Sequence, residues 1–152
     1  MVLYYSKSKK TKFFAETLGE KYDLPVYELE SDLNKKSTFG FMIKALSLAF
    51  NGKSYPVLNM PENLPNKIYI CTPIWGGQIA APVKYFLENA NLVNIKINIL
   101  LTASVPVEKY RVKAIGYLEK LKLNPGWAII FATNSKIPPE KETILEQLGD
   151  ML

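Results

Sequence analysis

A doubly wound α/β domain, with a parallel sheet covered by helices on both faces, is the architecture to which this sequence of 152 residues points. Five short apolar runs alternate with five stretches of helical period along the chain, which is the pattern of strand–helix–strand units. Four of the five runs are near-continuous in Val, Ile, Leu and aromatic residues, as strands buried on both faces must be. Size agrees: about 150 residues make one domain. With 48% hydrophobic and 22% charged residues, a single domain over 1–152 has the material for a core.

The first run is VLYY (2–5). Residues 11–21 then place Phe13, Phe14, Ala15 and Leu18 at helical spacing. PVYELE (25–30) alternates apolar and polar positions, as an edge strand with one half-exposed face does. TFGFMIKALSLAF (38–50) follows, with Ser37 or Thr38 as a cap and Gly52 as a stop. It is apolar almost all round, so it is expected either to be well buried or to cover a partner or ligand. A proline-bearing surface loop (51–66) leads to KIYICTP (67–73). A helix at 80–89 tolerates Pro82 in its first turn. KINILLT (96–102) precedes a helix at 108–121, with Tyr110, Ala114, Tyr117, Leu118 and Leu121 on one stripe. WAIIFAT (127–133) precedes a helix at 139–149 that follows Pro138, groups Ile144, Leu145 and Leu148, and stops at Gly149. Right-handed crossovers join such units.

Composition also excludes chemistry. The chain has no histidine, which removes the commonest general base and metal ligand, and with them Ser-His and Cys-His nucleophile pairs. The single cysteine, Cys71, forbids an internal disulfide framework and, mid-strand, reads as a structural thiol; a reducing cytoplasm suits it. No apolar run reaches the ~20 residues of a membrane span, and no signal peptide is expected at the N-terminus. The formal net charge of +5 is concentrated at 84–122, where seven Lys/Arg face three acids. Such a surplus is ordinarily a solvated face, so neither nucleic acid nor membrane is expected as a partner.

In a sheet of this kind, ligands sit outside the carboxyl ends of the strands, where strand order reverses. That names three loops: Ser6–Thr11, Pro73–Ala80 and Thr102–Val107. The first runs from strand to helix, where backbone N–H groups lack internal partners and the helix dipole favours an anion. Hydroxyls of Ser6, Ser8 and Thr11 and the charges of Lys9 and Lys10 add to this. Read alone, the same loop is equally a capped turn with solvated lysines. The second, TPIWGGQIAAP, sets Trp75 at the exposed end of a buried strand, where a large ring invites a flat cover. Beside it, Gly76 and Gly77 let backbone approach a ligand closely. A tryptophan capping the core beside a Gly-Gly turn is the alternative. The third offers Ser104, free N–H groups and Tyr110.

VLYYSKSKKTKFFAETL (2–18) and, more strongly, KIYICTPIWGGQIAAPVKYFLE (67–88) make the chain resemble the flavodoxin family, over nearly its whole length. The resemblance implies a five-stranded sheet of order 2-1-3-4-5 and FMN as cofactor. Position by position it assigns Ser6, Ser8 and Thr11 to the phosphate loop, with Lys9 and Lys10 where the family usually has Gly-Asn. Pro73, Ile74, Trp75, Gly76 and Gly77 fall in the loop against the flavin ring, with Trp75 stacking, while Thr102 and Ser104 begin the loop that completes the ring site. Lys9 in place of glycine requires a turn at negative φ or accepted strain.

The function so implied is an FMN-binding redox protein acting as an electron carrier, cytoplasmic, monomeric or weakly dimeric, with a redox partner that presents an acidic docking face. Lysines in place of the usual acids imply a less negative reduction potential. Two alternatives stay open: a small FMN-dependent reductase of quinone or NAD(P)H substrates, and a module of this fold that has lost FMN and binds an acidic partner.

Overall fold

The computed structural model describes residues 1–133 and 141–149. Its elements, in chain order, are β1 (Val2–Tyr4), α1 (Lys10–Tyr22), β2 (Val26–Glu28), a 3-10 turn (Asp32–Lys35), α2 (Thr38–Phe50), β3 (Lys67–Trp75), β4 (Gln78–Ile79), α3 (Ala81–Asn89), β5 (Lys96–Ala103), α4 (Glu108–Lys120), β6 (Asn124–Ala132) and α5 (Lys141–Gly149). Pro138 and residues 139–140, placed by the sequence at the start of the last helix, lie outside the described residues. The five main strands run parallel in the order β2-β1-β3-β5-β6, which is the expected 2-1-3-4-5 once the two-residue β4 is set aside. β4 forms an antiparallel hairpin with the end of β3, pairing Ile74 with Ile79 and Trp75 with Gln78.

Strand periodicity sorts the core into two layers. Leu3, Tyr5, Ile68, Ile70, Ile97, Ile99 and Leu101 pack on one side with Val83, Phe86 and Leu87 of α3 and Ala114 and Leu118 of α4. Their alternates Val2, Tyr4, Tyr69, Cys71 and Leu100 pack on the other with Phe14, Ala15 and Leu18 of α1 and Ile144 and Leu148 of α5. Cys71 is fully buried, and burial pushes its thiol far up, as a structural role requires.

One boundary and one burial pattern differ from the sequence expectation, for physical reasons. β6 begins three residues ahead of the predicted 127 and takes in Pro125 and Gly126. An edge strand tolerates a proline because one side of its ladder is unpaired. The irregular register opposite Ile97–Ile99 is bridged by the buried Asn98, whose Oδ1 accepts from the Trp127 N–H at 3.0 Å. The helix α2 behaves differently from a buried one. Phe41, Ala45, Leu48 and Ala49 face inward, while Phe39, Met42, Ile43, Leu46 and Phe50 are exposed. No helix among the described residues is long and apolar enough to cross a membrane.

Three buried or half-buried phenols set an alkaline limit. Burial raises the pKa of Tyr4, Tyr5 and Tyr117 well above the ordinary value near 10; Tyr4 and Tyr117 rise further because each donates to a carboxylate, Glu28 and Glu88. Above pH about 10 the unfolded chain loses phenolic protons that the folded one keeps, so stability falls as pH rises. Desolvation lowers the pKa of Lys84, which acts in the opposite sense below its ordinary 10.5, but the buried Cys71 thiol and Tyr22, both raised, act with the three phenols. Thermal unfolding followed from pH 8 to 11 should show a Tm that begins to fall near pH 9.0, where the unfolded thiol ionises, and drops more steeply above about 10.

Candidate functional site

The three loops named from the sequence leave neighbouring strands, because β1, β3 and β5 are adjacent in the sheet. The first loop follows the buried Tyr5. At its end Lys9 sits at φ +62, so this position accepts the left-handed conformation that a glycine would adopt at no steric cost. No side chain caps α1. The first helical N–H groups, at Lys10, Thr11 and Lys12, therefore lack acceptors within the helix. Ser6 is only 7% exposed, and its Oγ has no hydrogen-bond partner among the described residues. A buried hydroxyl left unpaired costs about 1–3 kcal/mol, so this group calls for an acceptor or donor from outside the chain.

The other first-loop residues divide. Thr11 Oγ1 lies 2.9 Å from Thr102 Oγ1, both buried, and ties the first loop to the end of β5. Lys10 Nζ donates to the Thr133 carbonyl at 2.7 Å, so it braces the end of β6. Ser8 and Lys9 are exposed. Sequence reasoning missed the support beneath them. Asn34, in the 3-10 turn, accepts from Tyr5 Oη at 2.8 Å through its Oδ1, donates from Nδ2 to the Ser6 carbonyl at 3.4 Å, and offers its own carbonyl to Lys7 Nζ at 2.6 Å. An asparagine 28 residues downstream gives no local signal of this role.

The second loop is the β3–β4 hairpin. Gly76 and Gly77 both have positive φ, 53° and 78°, as a two-residue turn of the mirror-image type requires. The turn is wedged between helices: a Cβ on Gly76 would lie 3.0 Å from Ala49 Cβ of α2, and one on Gly77 would lie 3.3 Å from Tyr110 and 3.7 Å from Lys113 Nζ of α4. Lys84, almost fully buried, holds β4 by donating to Gln78 Oε1 at 3.0 Å. Trp75 is half-buried. Its ring meets Tyr5 at 5.4 Å and Phe41 at 5.0 Å, both edge-to-face. The cover expected over the indole is thus supplied in part by α2, and the contact with Tyr5 sets Trp75 beside the first loop.

In the third loop Thr102 pairs in register with Pro73, joining the second and third loops, while Ser104 is exposed and Tyr110 half-buried. Ser6, Thr11, Thr102, Pro73 and Trp75 are therefore linked by direct contacts or adjacent strand positions, with Ile74, Gly76 and Gly77 continuing the hairpin. The site combines an uncapped helix start and a free buried hydroxyl with an aromatic ring and a tight Gly-Gly turn. That set suits a ligand with an anionic end and a flat end.

No protein-family profile and no curated protein matches the sequence. Solved structures do. A proposed flavoprotein from Bacteroides eggerthii superposes with a TM-score of 0.77 at 18% identity, over 99% of this chain and 95% of that one. A flavoprotein in complex with FMN from Lactobacillus acidophilus gives 0.68 at 22% identity, over 85% and 90%. A flavodoxin from Streptococcus pneumoniae gives 0.55 at 13% identity, over 99% and 94%. The protein has the flavodoxin-like fold.

Proposed function

We propose that the chain binds FMN non-covalently and serves as an electron carrier. The observation that carries this reading is the unpartnered, buried Ser6 hydroxyl in the loop that leads into the uncapped start of α1. A phosphate there would receive the Ser6 O–H and the free N–H groups of the first turn, with Lys9 adding charge at the rim. Thr11 and Thr102, bonded to each other, close the floor between phosphate and ring ends. Trp75 would lie against the ring, and the Gly76-Gly77 turn would bring backbone polar groups to its edge. FMN, when bound, supplies the electron chemistry; the protein contributes orientation and local charge. The FMN complex of the Lactobacillus acidophilus relative in fold supports the same assignment.

Titration of the purified chain with FMN tests this, read by the visible spectrum of the flavin and by quenching of Trp75 fluorescence. Saturable binding is expected, and a Trp75→Ala chain that quenches as fully as the parent would refute the placement of the ring. NAD(P)H consumption by the loaded protein, without an added reductase, would replace the carrier reading with that of a reductase.

Local charge gives a further prediction. Lys113 approaches the hairpin turn from α4, so negative charge arriving on the ring is favoured there by Coulomb attraction. Lys113→Glu should make the reduction potential more negative, on the order of tens of millivolts. Potentiometric titration that shows no change, or a shift to less negative values, would contradict this electrostatic argument.

A further inference from the structure

We propose that α2 is the interface of a homodimer, two copies packing antiparallel through Phe39, Ile43, Leu46 and Phe50. At 3.6 residues per turn, Phe41, Ala45, Leu48 and Ala49 form the inner face of α2, while Phe39, Met42, Ile43, Leu46 and Phe50 share a second face. These five side chains are between 43% and 81% exposed. Together they present roughly 500–600 Å² of apolar surface, at the upper end of the ~300–600 Å² that the largest patch on a monomer reaches, a size often tied to function. Two such faces bury about 1,000–1,200 Å² before their surroundings are counted, which reaches the range of specific interfaces.

The choice of a second copy rests on symmetry in the stripe. About the midpoint between Lys44 and Ala45, Phe39 stands opposite Phe50 and Ile43 opposite Leu46. A twofold axis at that point sets like side chain against like, as an isologous contact demands. Gly40 and Ser47 leave a shallow groove beside the ridge, bordered by Lys36 and Lys44, into which the partner's ridge can settle. The stripe itself carries no charge, and Lys44 turns aside, its Nζ 5.9 Å from the Tyr55 ring centre. Lys36 and Lys53 flank the helix about the same midpoint, so each meets its counterpart across the axis. Their repulsion is screened by salt, so salt should tighten the dimer, whereas it weakens adhesion to an anionic surface. The inner face of the same helix supports Trp75 and Gly76, so the dimer would brace the candidate ring site; the interface itself does not depend on FMN binding.

Sedimentation velocity of the full chain, from about 1 to 200 μM, is the test. The expected result is a 17.2 kDa species giving way to one of twice that mass, with a dissociation constant at least threefold lower in 500 mM than in 50 mM NaCl. Ile43→Glu should leave the circular dichroism spectrum unchanged, match the Tm of the parent at dilutions where the parent is monomeric, and keep the chain monomeric. Orientation is read by mixing Phe39→Cys with Phe50→Cys chains under mild oxidation. Unlike chains should cross-link and like chains should not, because equivalent positions lie about 16 Å apart along the paired helices. Cys71, fully buried, does not compete. A single 17.2 kDa species throughout, a dimer that survives Ile43→Glu, or cross-linking within either variant alone would overturn the proposal. So would a monomer that instead sediments with phosphatidylserine vesicles and is released by salt.

Discussion

Gly126→Ala is expected to cost about 2–4 kcal/mol of unfolding free energy, seen as a lower urea midpoint at unchanged slope. A Cβ at this position would stand 1.9 Å from Asn98 Oδ1 and 3.0 Å from its Cγ. Asn98 cannot simply move away. It is buried, and its Oδ1 accepts the Trp127 N–H where the β5–β6 register shifts. Displacing it combines overpacking with an orphaned buried donor, each worth about 1–3 kcal/mol. The two losses share one cause, so the Asn98→Ala/Gly126→Ala double variant should be less destabilised than the sum of the single variants. A Gly126→Ala midpoint equal to the parent's, or strict additivity, would show that the bulge is held by something other than this pair.

The same bulge shows where the sequence stopped being informative. Strands 2–5, 67–73 and 96–102 were legible because continuous apolar runs of that length have one common use in an α/β domain. The start of β6 was not, because Asn124-Pro125-Gly126 has the composition of a turn, and what makes it a strand is distant: pairing with Lys96 and Ile97, and the Asn98 side chain bonded to Trp127. β4 was hidden in a loop for a related reason: two residues carry no periodicity, although Gly76-Gly77 is the right chemistry for its turn. Three of the loop assignments could be read because the carboxyl ends of adjacent strands must lie together. The contacts within them could not. Nothing local distinguishes Ser6, buried and free, from Ser8, exposed, or shows that Lys10 reaches Thr133 while Lys9 stays at the surface. For α2 the sequence showed an apolar helix and offered burial or a covering role. Thirteen residues with two apolar faces meet only one core, so the second face is left outside.

Ser6 separates stability from ligand binding, because its hydroxyl is a cost to the flavin-free chain and an asset once a phosphate arrives. Ser6→Ala should raise the stability of the flavin-free protein by about 1 kcal/mol, since it removes an unpaired buried polar group while the backbone carbonyl still accepts from Asn34. The same change should weaken FMN about tenfold, the loss of one charge-assisted hydrogen bond of roughly 1.5 kcal/mol. Ser6→Asp is the stronger probe. A carboxylate here puts a negative charge in the loop that leads into α1, where it faces a phosphate at close range. At about 4 Å and an effective dielectric of about 20, the repulsion is roughly 4 kcal/mol, so binding should fall by at least 100-fold. Calorimetry of FMN binding beside thermal unfolding of both variants reads the two effects separately. An Ala variant that is less stable than the parent would mean that the hydroxyl already has a partner in the folded chain. An Asp variant that folds and binds FMN as tightly as the parent would move the phosphate away from α1 and leave the hydroxyl without a ligand.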